Sequence, residues 1–337
     1  MLRSLSETMH EIHDLAALFP SQQPHPLPAT ALALLDQERV LAVHGPDATR
    51  FLQGQLTCDV AALQPGQSTL GARCNPKGRM QSSFRLLKRS EDDYLLAIPG
   101  ELLEPQQQDL ARYAAFFKVK LEEVSDQWLR LGLWGADAST ALAALGMEPA
   151  ADAPALGFAL PIGQQSWELW LPADQAQARL NSLIAHAQPV AASAWTLQLI
   201  RLGIGQVRGE TRESFIPQML NLQFLDGVSF RKGCYTGQEI VARMQYLGKL
   251  KRRMFRLIWE GNEVPAPGTP IHDSAKGQAV GEVVMAARAD NHIELLAVLQ
   301  NEAAELPGLS INNIIEPSLQ LTTLPYDQQM ANEPAAE

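Results

Sequence analysis

Hydrophobic and polar positions along the chain change rhythm several times, and each change marks an element. Short aliphatic runs bounded by Gly, Pro, Asn or Asp predict strands at 40–44, 68–74, 80–88, 94–98, 129–133 and 167–171. Between them, apolar residues at helical spacing predict helices. Gly45, Pro46 and Asp47 open one with Ala48, Phe51 and Leu52 on its apolar face, and Gly54 closes it. Pro99 leads into a longer helix that runs through Phe117, and Ser193 caps one carrying Trp195, Leu199 and Leu202 at i, i+4 and i+7.

Part of this order occurs twice. A strand, a Gly-x-Asp corner, a helix ending in glycine, another strand and a Pro-led helix run from 40 to 117. They recur from 129 to 187 with Gly135, Asp137, Gly146 and Pro172 in matching places. The first copy is longer by roughly the length of the 68–90 hairpin. A pseudo-duplicated α+β unit is therefore expected. After residue 248 the rhythm changes again, to β runs at 254–259, 279–284, 293–299 and 311–315 punctuated by Gly and Pro, as in a small antiparallel barrel. The expected divisions are a peripheral N-terminal helix and Pro-rich linker (1–30), a duplicated domain (31–248), a C-terminal β-barrel (249–326) and a disordered tail (327–337).

Composition sets limits. With 337 residues, 46% hydrophobic and 19% charged, the chain has the make-up of a soluble globular protein with ample core. No apolar run reaches the roughly 18 residues of a membrane span, and the first residues lack the basic-then-apolar order of a signal peptide. Three cysteines, Cys58, Cys74 and Cys234, are odd in number and far apart, which points to a reducing compartment and away from a disulfide framework. A cytoplasmic protein without a membrane partner is expected. His10 and His13 lack a third ligand and read as a solvated helix end. The net charge of −10 argues against general nucleic-acid binding. However, Lys and Arg at 231, 232, 243, 249, 251, 252, 253 and 256 face one acid, Glu239, a local excess that suits an anionic partner or a basic solvated face.

The most informative stretch is Lys232-Gly233-Cys234-Tyr235-Thr236-Gly237-Gln238-Glu239. It sets a thiol beside Arg231 and Lys232 and just ahead of a helix whose start reads as a Thr236–Glu239 capping box. Cations and a helix N-terminus both favour the thiolate. A cysteine buried in a tight turn fits the same residues.

This stretch resembles the signature of the YgfZ family, folate-binding proteins on the scaffold of the glycine-cleavage T-protein. Gly45-Pro46-Asp47, 51–57 (FLQGQLT), 74–79 (CNPKGR), 215–218 (FIPQ) and 221–223 (NLQ) are similar to further family motifs, in the family's order, so the likeness spans about 30–325. The resemblance implies a T-protein-like domain binding tetrahydrofolate or a derivative, followed by the small barrel. It makes Trp195, Asn75, Gln218, Asn221 and Tyr235 folate contacts, and Cys234 a working thiol assisted by Lys232. An indole at 195 also suits an ordinary core position. A second family tryptophan falls at Glu38, so half of an aromatic clamp is missing or comes from elsewhere.

In the transferases of this superfamily the hairpin turn is followed by paired aspartates, which here are Ser82 and Ser83, and a further pterin-side glutamate is Arg201. A hydroxyl cannot serve as a carboxylate base at neutral pH. The resemblance therefore implies a folate-binding protein that is not a transferase. It would support iron–sulfur cluster assembly or repair in selected enzymes, tRNA-modifying ones included, with those enzymes or cluster-assembly proteins as partners and a transient tRNA contact. The rivals are a folate-dependent aminomethyltransferase and an RNA-binding adaptor using the 231–256 stretch.

Overall fold

The computed structural model describes residues 15–147, 156–246, 250–306, 308–311 and 318–332. His10, His13, Lys249 and the end of the chain from 333 lie outside them.

Strand β1 (Thr30–Leu34) precedes the first repeat. That repeat comprises β2 (Glu38–His44), α1 (Ala48–Gln53), β3 (Ser68–Cys74), β4 (Met80–Ser90), β5 (Asp93–Pro99), α2 (Gly100–Ala114) and β6 (Lys120–Glu123). The second comprises β7 (Trp128–Gly135), α3 (Ala138–Ala144), β8 (Phe158–Gly163), β9 (Ser166–Pro172), α4 (Ala176–Ile184) and β10 (Gln188–Val190). Their five-stranded sheets have the orders β3-β4-β5-β2-β6 and β8-β9-β7-β1-β10. The duplication is thus real, with two departures. The first copy carries the extra strand β3 beside β4, rather than a whole extra hairpin. In the second copy β1 inserts between β7 and β10, antiparallel to the former and parallel to the latter.

The corners repeat for a steric reason. Gly45 (φ +130) and Gly135 (φ +117) follow the first strand of each copy. A Cβ there would lie 2.4 Å from the Lys118 carbonyl oxygen and 2.1 Å from that of Ala29, so only glycine lets the chain turn into the helix. Pro99 and Pro172 hold the second corner at φ −47 and −54 ahead of the next helical segment.

The two sheets face each other across an apolar layer that joins Val40, Ala42, Leu95 and Ala97 to Phe158, Leu160 and the fully buried Trp170. The same faces carry charge. Arg85 on β4 donates to Glu168 on β9 at 2.8 Å, Glu168 accepts from Arg130 on β7 at 2.9 Å, and Arg130 donates to Glu38 on β2 at 2.6 Å. The Arg130 guanidinium also lies 4.4 Å from the ring centre of Trp170. Burial alone would raise the Glu168 carboxyl, but the two guanidiniums outweigh it and hold it below the ordinary carboxylate range.

Helix α5 (Ala192–Arg201) leads into irregular chain and then α6 (Gln238–Tyr246). The C-terminal strands β11 (Arg252–Trp259), β12 (Pro270–Asp273), β13 (Ala279–Arg288), β14 (Ile293–Gln300), β15 (Leu309–Ile311) and β16 (Gln320–Thr322) form an antiparallel sheet of order β15-β12-β13-β14-β11-β16. Bulges at Ile271/His272 and Val283/Met285 accompany its curl into a half-barrel. A short helix, α7 (Asp327–Ala331), stands where the sequence predicts a disordered tail. The half-barrel docks on α5, where Arg201 grips Glu294 with two hydrogen bonds of 3.0 and 2.7 Å.

Replacing Glu168 by Gln leaves Arg85 buried without its carboxylate and Arg130 with Glu38 alone, and urea unfolding at neutral pH should show a loss of about 3–5 kcal/mol. Because the folded carboxyl titrates below the unfolded one, its stabilisation is complete above about pH 4.3 and disappears as pH falls through the folded value. The gap between wild type and Glu168→Gln should close over that acid range. A gap independent of pH would show that packing, not charge, is what the mutation removes.

Candidate functional site

A cleft of about 790 Å³ opens between the duplicated domain and the half-barrel, lined by residues that follow β1, by the start of α2, by α5 and by the 264–267 loop. Trp195 forms part of its wall and is only 6% exposed. The indole is wedged against β7, for a Cβ on Gly132 would fall 2.3 Å from the ring, and the Trp134 ring lies 5.5 Å away at 51°. Trp195 is thus both a core residue and a cleft residue, the two roles the sequence left open. The second aromatic ring near Trp195 comes from β7, and it does not line the cleft.

Acids and Arg208 make up the polar side of the cleft. Glu38 lines it and holds Arg130 with one oxygen while the other accepts from Gln206 at 2.5 Å. Glu101, in the first turn of α2, pairs with Arg208 at 2.8 Å, and exposed Glu210 follows on the same 3-10 turn. A narrow recess continues inward past Glu38 and Gln206 to Ser83, Arg85 and Glu168. Ser83 Oγ accepts the Val207 backbone N–H at 2.8 Å, while Ser82, on the opposite face of β4, donates to Gln106 at 3.0 Å. Both hydroxyls are buried and committed to structure. Arg201 serves the junction with the half-barrel through Glu294.

The other residues singled out from sequence lie outside the cleft, Asn75 at the tip of the β3–β4 hairpin and Asn221 against β11. Asn75 Oδ1 accepts the backbone N–H groups of Lys77 and Arg79 and so shapes the turn. The turn packs on the start of α6: a Cβ on Gly237 would lie 2.6 Å from the Asn75 carbonyl oxygen, and one on Gly78 would lie 2.9 Å from Ile240. Gln218 donates to the Val241 carbonyl at 2.7 Å, and Asn221, at φ +57, donates to that of Met254 at 2.9 Å. Both are buried connectors, each with its side-chain carbonyl oxygen unpartnered among the described residues. Of the five predicted folate contacts, Trp195 lines the cleft, whereas Asn75, Gln218, Asn221 and Tyr235 do not.

The cysteine motif also differs from its sequence reading. Helix α6 begins at Gln238 with Gly237 (φ +86) ahead of it, and no Thr236–Glu239 box forms among the described residues. Lys232 does not lie open beside the thiol. It is buried, and its ammonium donates to the carbonyls of Leu56 and Cys58, both at 2.8 Å, with the Tyr235 ring 5.2 Å away. Burial lowers its pKa to about 8. Cys58 and Cys74 are buried, which pushes their thiols up to about 12, whereas Cys234 is exposed. Cys234 is therefore the thiol available to a partner.

Most described cations of the basic stretch are engaged with partners. Lys232 is spent internally, Arg252 pairs with Glu282 and Arg256 with Glu294, and Arg253 also has an interaction partner. Arg231, Arg243 and Lys251 remain exposed.

Residues 29–160 match the model of the GCVT N-terminal domain family. A protein of Yersinia pestis (strain Pestoides F), named tRNA-modifying protein YgfZ, is 35% identical over 312 residues that cover 89% of this chain and 93% of that one. The chain belongs to the YgfZ family. A relative of the same name from Photobacterium profundum is 33% identical over 308 residues, covering 89% of this chain and 92% of that one. The glycine cleavage system aminomethyltransferase T from Bartonella henselae superposes with a TM-score of 0.69 at 18% identity, covering 95% of this chain and 89% of that one, which establishes a shared fold. In this YgfZ-family chain, then, the transferase scaffold is kept while serines stand at 82 and 83 and an arginine at 201.

The buried ammonium has a measurable signature. Lys232 loses its proton near pH 8 in the folded chain but near 10.4 when unfolded. Between those values the unfolded state binds more protons, so this group makes stability rise with pH. The wild-type minus Lys232→Met difference in unfolding free energy should increase from pH 8 to pH 10, by no more than about 3 kcal/mol. A flat difference would mean that the ammonium is solvated.

Proposed function

We propose that this protein binds a reduced folate in the cleft beside Trp195 and supports iron–sulfur cluster assembly or repair in selected cytoplasmic enzymes, tRNA-modifying ones among them. The single observation that carries the reading is the make-up of that cleft. Its volume falls in the usual range for small-molecule sites. Trp195, Leu199 and Met285 offer apolar, polarisable walls to a flat heteroaromatic ring, and Glu38, Glu101 and Glu210 offer acceptors to a ring edge rich in N–H groups. Arg208 is the cation at hand for a glutamate tail. These residues fit a pterin in kind, and the relatives named for tRNA modification support the second half of the proposal.

Ser82 and Ser83 argue against the transferase alternative. Aminomethyl transfer on this scaffold calls for a carboxylate at the hairpin, and here both hydroxyls are buried in hydrogen bonds to Gln106 and Val207. The protein on this reading carries or presents folate without transferring its one-carbon unit. Exposed Cys234 supplies the contact to a client protein's cluster or thiol, with α6 and the hairpin tip as its support. The 231–256 stretch gives little to an RNA adaptor, since most of its described cations are spent on internal partners.

Titration calorimetry should detect tetrahydrofolate binding. Trp195→Phe should weaken it by about 1 kcal/mol, whereas Trp195→Ala would confuse the test by opening a cavity that costs about 3–5 kcal/mol of stability. Unchanged affinity in Trp195→Phe would move the site elsewhere. Cys234→Ala should keep both stability and folate affinity yet fail to restore iron–sulfur enzyme activity and tRNA thiomethylation in a deletion strain; full restoration would end the proposed role of the thiol.

A further inference from the structure

The most exposed large apolar side chain of the described residues is Phe116, at 82%, and Tyr113 stands three residues before it at 42%. They sit on the last turn of α2 and its extension, where the Phe116 N–H donates to the Tyr113 carbonyl. Neither position serves the fold, since Phe117, not Phe116, turns inward to pack on Phe51 at 5.3 Å. A pair of solvent-facing rings on an acidic protein calls for an occupant.

Cations border the rings. Arg112 is 78% exposed, Lys118 and Lys120 are exposed on the following segment, and Arg50 lies over the Phe117 ring at 5.0 Å. On the other side of Tyr113, Asp109 is shared by Arg73 and Arg212 at 3.3 Å each and by Arg112 at 3.7 Å. One carboxylate among three guanidiniums leaves a positive surplus. The Nε–H groups of Arg73 and Arg212 have no acceptor among the described residues. Besides Asp109, the acids along the segment are engaged: Asp47 takes the Lys118 backbone N–H, Glu122 pairs with His44, and Glu123 accepts from the Ser125 hydroxyl. The result is a face on which aromatic rings alternate with cations inside a chain of net charge −10.

We propose that this face binds single-stranded RNA, such as an exposed loop. Tyr113 and Phe116 stack unpaired bases, and Arg112, Arg212 and Lys118 hold the adjoining phosphates. Sequence-tolerant binding of single strands combines stacking platforms with cations in this way, and guanidinium forks match phosphate oxygens. A membrane is a poorer occupant. The rings are set among Ala111, Ala114 and Ala115, with no Leu, Ile or Met to form a wedge that could enter the acyl region. The surface is independent of the folate cleft and of the 231–256 stretch, so the folate reading can fail while this one stands.

The test is fluorescence anisotropy of a labelled single-stranded oligouridylate and of an unmodified tRNA transcript titrated with the full-length protein. Wild type should bind both, more weakly as salt rises. The double variant Tyr113→Ala/Phe116→Ala should lose about tenfold or more in affinity. Arg112→Glu should weaken binding and flatten its salt dependence, and Phe116→Trp should retain it. Because these side chains are exposed, the thermal midpoint and the folate titration should not change. Absence of RNA binding by wild type, or equal binding by the double variant and Arg112→Glu, would overturn the proposal. So would sedimentation with phosphatidylglycerol–phosphatidylcholine vesicles in place of RNA binding.

Discussion

The alternating charges of Arg85, Glu168, Arg130 and Glu38 tie the two repeats together, and the cleft depends on them. Burying Arg85, Glu168 and Arg130 is costly in itself, and an apolar layer of the same volume could be as stable. What the chain of charges adds is register. Each link is a directed hydrogen bond between strands that are far apart in sequence, two of the three crossing between the sheets, so a slip of one residue would leave charges stranded. The apolar contacts of Phe158, Leu160 and Trp170 tolerate small shifts; the guanidinium–carboxylate pairs do not. The last link sits in the cleft wall, where Glu38 holds Gln206 at the start of the irregular segment. The charge between the sheets and the charge of the cleft wall are therefore one network.

The same logic extends to Ser82, Ser83 and Arg201. Ser83 spends its hydroxyl on the Val207 N–H, next to Gln206, and Ser82 spends its own on Gln106 of α2. Arg201 meets Glu294, whose carboxyl is held low by Arg201 and Arg256 against the opposing effect of burial. Each of these positions thus has a local partner that fastens α2, α5, the irregular segment or the half-barrel. A single aspartate at 82 or 83 would enter a buried site whose neighbouring cations, Arg73 opposite Ser82 and Arg85 beside Ser83, already pair with Asp109 and Glu168, so such a change would first cost stability.

The duplication was legible because glycine and proline corners have steric causes that leave a mark in sequence. Gly45 and Gly135 accept no side chain, and Pro99 and Pro172 fix the entry to helical segments. The strands that were missed, β1, β6, β8, β10, β12 and β16, are three to six residues long, too short for alternation to stand out, and their existence depends on neighbours supplied by distant chain. At the site, Trp195 was legible through family likeness, and Cys234 through the motif around it. Lys232 was misread because adjacency in sequence does not fix where a long side chain points, and the two carbonyls it serves lie about 175 residues earlier. Glu38, Glu101 and Arg208 escaped because single charged residues carry no local signal until the fold brings them together.

Geometry also separates the exposed thiol from the cleft without disconnecting them. The β3–β4 hairpin reaches from one to the other: its middle carries Ser83 beside the inner recess, and its tip packs backbone-to-backbone against Gly237. No side chain fits at that contact, because a Cβ on Gly237 would meet the Asn75 carbonyl oxygen at 2.6 Å and the Cys74 Cβ at 3.0 Å. The glycine of the motif therefore sets the distance between hairpin and helix, while the cysteine three residues earlier stays free of the packing. Rigid support beneath an unencumbered thiol is the arrangement a residue needs if it is to meet a partner protein and not the core of its own chain.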